Sequence, residues 1–412
     1  MTHKLSPAVL FSLLAIGIMA GCVGIVLTWL LHTVQHLAFG YGLLGQESFR
    51  EMAEHAPPLR RFLALAGCGA VAGVGWYALH RYGAPLVDIK KAVDNPDQHM
   101  PFKTTVAHAL LQILTVGMGS PLGREVAPRE MSAALATRWM QRFRFDADTR
   151  RLLLACASGA GLAAVYNVPL AATVFVLETL LLSWQPRALL AALLACGTAV
   201  LVVRLGLGDL VQYPLPEAAI NPALSGWALL AGPVLALAVY AFNRSAARLP
   251  PLPRSSPKMM VIALAAFAAI GLLAVWFPDI LGNGKAGNQL SFAGAIGWHE
   301  GLALFAAKWL AVLLAMLGGA YGGRITPSMM LGGMLALTLA IAWNSGLPPV
   351  SIGAAAFIGA AVFLGLAQKM VLTAMVFMLE LSRLSTAYWL PLCLCMGSAL
   401  LVWTYLQARR PD

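Results

Sequence analysis

Met118-Gly-Ser-Pro-Leu-Gly-Arg-Glu-Val-Ala-Pro128 sets a carboxylate and a guanidinium inside an otherwise apolar region. The stretch Ala107–Val116 before it has no charge, and Arg129–Met140 after it reads as a helix. Glycines at 117, 119 and 123 permit a tight turn, and Pro121 and Pro128 cannot carry a helical ladder. A helix starting after such a break has N–H groups without intrahelical partners. They point at one spot, together with the positive end of the helix dipole. That geometry suits an anion. Glu125 is then either the occupant, a carboxylate that blocks the spot until protonated or displaced, or a plain helix cap paired with Arg124.

The surroundings are those of a membrane protein. Of 412 residues, 59% are apolar and 11% charged, against about a quarter charged in soluble domains. Charge-free runs cover 5–46, 62–80, 152–177, 188–203, 218–243, 259–278, 325–368 and 384–408, and spanning a bilayer takes roughly 20 residues. The 44-residue run at 325–368 is too long for one span and must fold back. The net charge of +11 fits basic loops on the cytoplasmic side, and no nucleic-acid motif accompanies it. The reading is an all-α polytopic membrane protein with broken and re-entrant helices and no soluble domain. The basic 244–258 loop and both termini are placed in the cytoplasm, in the inner membrane of a cell. The first apolar run is a retained helix, without the marks of a cleaved signal peptide. Six cysteines lie in apolar runs and read as core residues.

The break recurs. Gly123–Pro128 is echoed by Gly322-Gly-Arg-Ile-Thr-Pro327 at an offset of 199. Residues 162–178 and 364–380 match at seven of 17 positions, at an offset of 202. Two elements in the same order point to duplicated halves, 8–207 and 218–406, joined near 208–221. Duplicated halves with interrupted helices are the pattern of transporters whose site lies near the bilayer midplane.

Other residues carry weaker signals. Arg324 is either an ion-path charge or a side chain that snorkels to the interface. Glu178 and Glu380 end matched apolar helices, as proton carriers or as residues satisfied at a rim. Arg81-Tyr-Gly-Ala-Pro85 is a third broken element, leading into a short helix. His299-Glu300 lacks the second histidine of a zinc-protease helix, and Gly282-Asn-Gly-Lys-Ala286 fails the spacing of a phosphate loop. No ligand-spaced cluster supports a metal, a cofactor or an enzyme.

At Gly123-Arg-Glu125 the chain resembles the CLC family of chloride channels and proton/chloride antiporters. Gly159–Glu178 resembles the stretch after the family's gating motif, and Gly323–Pro327 its Gly-x-Phe-x-Pro motif. The resemblance runs from about residue 8 to 406. It implies an inverted-repeat helical fold and a homodimer with one anion pathway per subunit. The faces of 168–182 and 370–382 would form the interface. It makes Glu125 the gating glutamate. It assigns anion contacts to Tyr82, Gly83 and Ala84, to Gly123, Arg124 and Val126, and to Gly323, Arg324 and Ile325.

The chain also departs from the family pattern. The gating motif reads Gly-Arg-Glu-Val-Ala-Pro instead of Gly-Arg-Glu-Gly-Pro. Tyr82 stands at the pore serine, Ile325 at the phenylalanine, and the last family helix with its tyrosine is not apparent. Thr179 stands where the antiporters carry an internal glutamate, next to Glu178. A threonine hydroxyl does not titrate near neutral pH and cannot carry a proton as a carboxylate does, so Glu178 and Thr179 mark an interrupted proton path. The expectation is channel-like passage of chloride or a similar small anion gated by Glu125. The alternative is proton-coupled antiport of fluoride or chloride, since the family's fluoride-exporting branch shows similar losses.

Overall fold

The structure, a computed structural model, describes residues 5–41, 48–209, 211–213 and 220–409. Part of the joint expected near 208–221, residues 210 and 214–219, lies outside the described residues, as does Arg410 of the basic tail. The fold is all-helical. In chain order the helices are α1 (Pro7–Phe39), α2 (Phe49–His55), α3 (Pro58–Tyr82), α4 (Ile89–Asp94), α5 (Phe102–Gly117) and α6 (Val126–Met140). Then come α7 (Ala147–Tyr166), α8 (Pro169–Phe175), α9 (Pro186–Leu207), α10 (Pro222–Ala247), α11 (Lys258–Trp276) and α12 (Lys285–Ala293). The last five are α13 (Trp298–Leu317), α14 (Ile325–Asn344), α15 (Ile352–Gln368), α16 (Val371–Ser382) and α17 (Trp389–Ala408). Eight helical segments among the described residues are long and apolar enough to cross a membrane. The charge-free run at 325–368 does fold back, as α14 and α15.

The duplication is written in the backbone. Left-handed φ occurs at Gly119 and Gly319, at Asn167 and Lys369, and at Leu182 and Arg383. These pairs lie 200, 202 and 201 residues apart. Glycine adopts such φ freely, whereas Leu182, Lys369 and Arg383 adopt it at a cost. The same three turns therefore recur whatever residue occupies them. Each copy has a break before a helix (α6, α14), then a buried helix (α7, α15), then a short helix after a left-handed turn (α8, α16). One difference stands out: α8 runs into a π-helical turn at Val176–Leu181, whereas α16 stays α-helical through Ser382.

The chain forms two compact units. The first holds residues 1–32, 75–114 and 124–212. At its centre is α7, buried from Leu152 to Tyr166, with α6, α8 and α9 packed on it. A helix apolar on all sides belongs inside. Gly161 lets α6 approach: a Cβ there would sit 2.6 Å from the Pro128 carbonyl oxygen and 2.9 Å from the Arg129 Cα.

The second unit holds 33–74, 115–123 and 213–412. Its centre is α15, buried from Ala354 to Ala367, against α14, α10 and α16. The Gly119 turn is tied down here. Its carbonyl accepts from Gly282 N at 3.0 Å. The carbonyls of Gly282 and Ile280 each accept from Lys308 Nζ at 2.8 Å. Lys308 is wholly buried in α13, where a polar group persists only when hydrogen-bonded. The 282–286 stretch thus serves as a turn into α12. Of the six cysteines, 68, 156, 196 and 395 are buried, and Cys22 and Cys393 face outward.

In the second unit a Cβ on Gly332 would overlap the Gly359 carbonyl and the Phe363 side chain. Gly332→Ala should therefore destabilise the protein by about 1–3 kcal/mol through forced separation of α14 and α15. Gly197, in α9, has open space around it, and Gly197→Ala should leave the melting temperature in detergent unchanged or raise it. Equal melting of the two variants would refute close backbone packing at Gly332.

Candidate anion site

The two sequence breaks meet. Gly123 N donates to Gly323 O at 2.6 Å, and Gly323 N donates to Gly123 O at 2.9 Å. Each segment then enters a helix: α6 begins at Val126, three residues beyond Gly123, and α14 at Ile325, two beyond Gly323. Proline stands third in both helices, at Pro128 and Pro327, where it contributes no N–H. Each helix start therefore offers only the amides of its first two residues, at the positive end of its dipole. The cap positions carry opposite charges, Glu125 before α6 and Arg324 before α14, and neither side chain bonds its own helix end.

Glu125 is wholly buried. Its Oε2 accepts a hydrogen bond from Tyr166 Oη at 3.1 Å. Arg129, one turn along α6, lies within electrostatic reach. Arg124 turns away and reaches the Val165 carbonyl at 3.4 Å. The carboxylate is thus neither a helix cap nor the partner of Arg124, two of the roles open at the sequence level. Tyr166 was not singled out by sequence reasoning. It ends α7, fixed there by the left-handed Asn167. The Asn167 side chain accepts from Arg204 Nε at 2.9 Å and donates to Asp209 at 2.8 Å, and Arg204 and Asp209 pair at 3.1 Å.

The remaining expected residues fall in different settings. In the second unit Gly323 and Ile325 are buried and Arg324 is half-buried. Arg324 adds a full positive charge to a helix start that is already positive. In the first unit Val126 is half-buried. The amides of Gly83 and Ala84 are taken: Gly83 N bonds Leu79 O at 2.9 Å, and Ala84 N bonds Thr104 Oγ1 at 3.2 Å. Tyr82 is 79% exposed at the end of α3, with the Arg81 guanidinium 5.8 Å from its ring. Glu178 and Thr179 are half-buried in the π-helical turn, where Thr179 Oγ1 donates to Phe175 O at 2.6 Å. π-Helical turns inside α-helices are frequent at functional sites.

Two further hydroxyls escaped sequence reasoning. Ser120, between Gly119 and Pro121, and Ser328, in the first turn of α14, are buried without a hydrogen-bond partner among the described residues. Both are donors of the kind an anion takes. Only their burial betrays them, and burial is not readable from a Gly-Ser-Pro or Pro-Ser dipeptide.

Comparison with known proteins gives the family. The sequence profile described as "Voltage gated chloride channel" matches residues 68–404. The chain is 30% identical over 296 residues to the voltage-gated ClC-type chloride channel ClcB of Escherichia coli (strain SMS-3-5), covering 68% of each chain. It shares its fold with a slow cyanobacterial Cl−/H+ antiporter, with a TM-score of 0.81, 19% identity and coverage of 98% and 96%. A CLC-type fluoride/proton antiporter matches with a TM-score of 0.65, 20% identity and coverage of 97% and 96%. The chain belongs to the voltage-gated chloride channel (CLC) family, and it is a multi-pass membrane protein that transports anions.

Tyr166→Phe removes the hydroxyl that donates to the Glu125 carboxylate and keeps the ring. A lost bond of roughly 1 kcal/mol should free the carboxylate and raise anion flux about fivefold in vesicles. Unchanged flux at every pH would show that the bond does not restrain Glu125.

Proposed function

We propose that the protein exchanges chloride or a similar small monovalent anion for protons, with Glu125 as the group that competes with the anion and takes up the proton. The observation that carries this reading is the buried Glu125 carboxylate at the start of α6, bonded to Tyr166 and not to its own helix. Ionised, it occupies the positive helix start. Protonated, it loses the charge that draws it there and yields to an anion. The amides of Arg124 and Val126, and those of Arg324 and Ile325, are the proposed anion contacts. Proton coupling is favoured over passive flux by the fold neighbours, which are described as Cl−/H+ and fluoride/proton antiporters. Channel-like flux is the second reading, and Thr179 favours it, since its hydroxyl offers no second carboxylate.

The assembly we propose is a homodimer. In the first unit Leu170 opens α8 at 55% exposure, and in the second Leu372 opens α16 at 50%. These leucines sit 202 residues apart, at matched positions of the faces expected to form the interface. Cross-linking in mild detergent should capture a dimer; a single copy at all protein concentrations would contradict it.

Vesicles containing the purified protein test the transport reading. A chloride or fluoride gradient should drive protons uphill at a fixed ratio. Glu125→Gln should carry anions without moving protons, with weaker dependence on external pH. Anion flux that never moves protons in the wild type would establish the channel reading instead. A Glu125→Gln protein slower than wild type at every pH would show that Glu125 is not a competitor for the anion.

A further inference from the structure

Within the first unit a second buried carboxylate lies outside the Glu125 arrangement. Glu130, on α6, has 12% side-chain exposure. Its Oε2 accepts from Gln112 Nε2 at 2.9 Å and faces His108 Nε2 at 3.6 Å. His108 and Gln112 lie one turn apart on α5. On the other side of the imidazole, Trp76 Nε1 of α3 donates to His108 Nδ1 at 3.1 Å. His108 and Trp76 are buried.

This chain of contacts fixes where a proton goes. An indole N–H only donates, so Nδ1 of His108 is the accepting, unprotonated nitrogen. The ring proton then sits on Nε2, facing the carboxylate. A further proton on the imidazole would need Nδ1, which already receives the indole N–H. The Glu130 carboxylate is the open acceptor. The other charged groups within reach of Glu130 are Arg129, next to it on α6, and Asp88, at the start of α4. Arg129 also lies within reach of Glu125.

We propose that Glu130 is a second proton-binding site of this protein, positioned by Gln112, His108 and Trp76 and coupled to Glu125 through Arg129. The proposal rests on the reading of Glu125 as the proton-accepting gate. Protonation adds one O–H bond at Glu130 and removes one negative charge; no other bond changes. Arg129 lies within electrostatic reach of both carboxylates, with its Nε on Ser158 Oγ at 3.3 Å and its guanidinium 4.5 Å from the centre of the Phe175 ring. Neutralising Glu130 removes a negative charge from this shared field and favours the ionised Glu125. Neutralising Glu125 favours ionised Glu130 in the same way. The two sites thus hold one proton more readily than two. That property lets a proton stay in the protein while Glu125 returns to its charged state, a task Thr179 cannot perform.

Infrared difference spectra of the full-length protein, titrated from about pH 4 to pH 9, test this through the protonated-carboxyl stretch. The wild type should show two buried carboxyl bands, one lost in Glu125→Gln and the other in Glu130→Gln. In Glu130→Gln the half-conversion pH of the Glu125 band should fall by about one unit. In Trp76→Phe the freed Nδ1 should take the proton, so the Glu130 band weakens. This variant carries the test if Glu130→Gln does not fold. A spectrum with no band assignable to Glu130, a Glu125 band unmoved by Glu130→Gln, or a Glu130 band indifferent to Trp76→Phe would overturn the proposal. Absence of anion flux from wild-type vesicles would overturn the transport reading, while the infrared assignment stands or falls by itself.

Discussion

Backbone amides in lipid must find partners inside the protein, and a helix that starts within a membrane has amides with none. This fold solves the problem twice. The Gly123–Gly323 pair satisfies the backbone just before each helix start, and Pro128 and Pro327 remove one more amide from each first turn. Each start then presents the amides of its first two residues at a positive dipole end, an arrangement that suits an anion or a carboxylate.

The supporting structure keeps those helix ends fixed. In the first unit Gly161 lets the first turn of α6 lie against α7, and the Asn167–Arg204–Asp209 cluster fixes the end of α7 that carries Tyr166. In the second unit Lys308 holds the Ile280 and Gly282 carbonyls, and Gly282 holds the Gly119 turn. A buried amine is expensive unless it is hydrogen-bonded, and Lys308 Nζ meets the carbonyls of Ile280 and Gly282 at 2.8 Å each.

The parts of this arrangement readable from sequence are those set by composition and by local backbone chemistry. Charge-free runs located the helices, and Gly and Pro located the breaks at Gly119–Pro128 and Gly322–Pro327. Glu125 was legible because an isolated carboxylate in such a break has few explanations. Tyr166, His108 and Glu130 were not, because their meaning lies in contacts between helices, 18 to 41 residues apart in sequence. A tyrosine near an apolar helix end is common, and only the 3.1 Å contact makes it a partner of Glu125. Lys308 hid for the opposite reason: a lysine in an apolar run reads as a snorkelling side chain unless its burial is known. The left-handed turns at Leu182, Lys369 and Arg383 gave no signal either, since those residue types ordinarily avoid positive φ.

The same turns show how a duplicated scaffold accommodates an asymmetric function. Both copies keep the break, the buried helix and the left-handed turn, since these determine packing. They differ at the helix caps and at the end of the short helix. One cap is Glu125 and the other Arg324; one short helix ends in a π-helical turn around Glu178 and Thr179, the other stays regular through Glu380. Glu125 is wholly buried and Arg324 half-buried, so each unit accommodates its own cap charge within the repeated pattern of break, buried helix and turn. A carboxylate is a charge that a proton can remove, whereas a guanidinium keeps its charge at neutral pH. A repeated backbone thus carries two helix starts of opposite cap charge, one in each unit, and there the copies differ in the cap side chain while the left-handed turns at Gly119 and Gly319 recur.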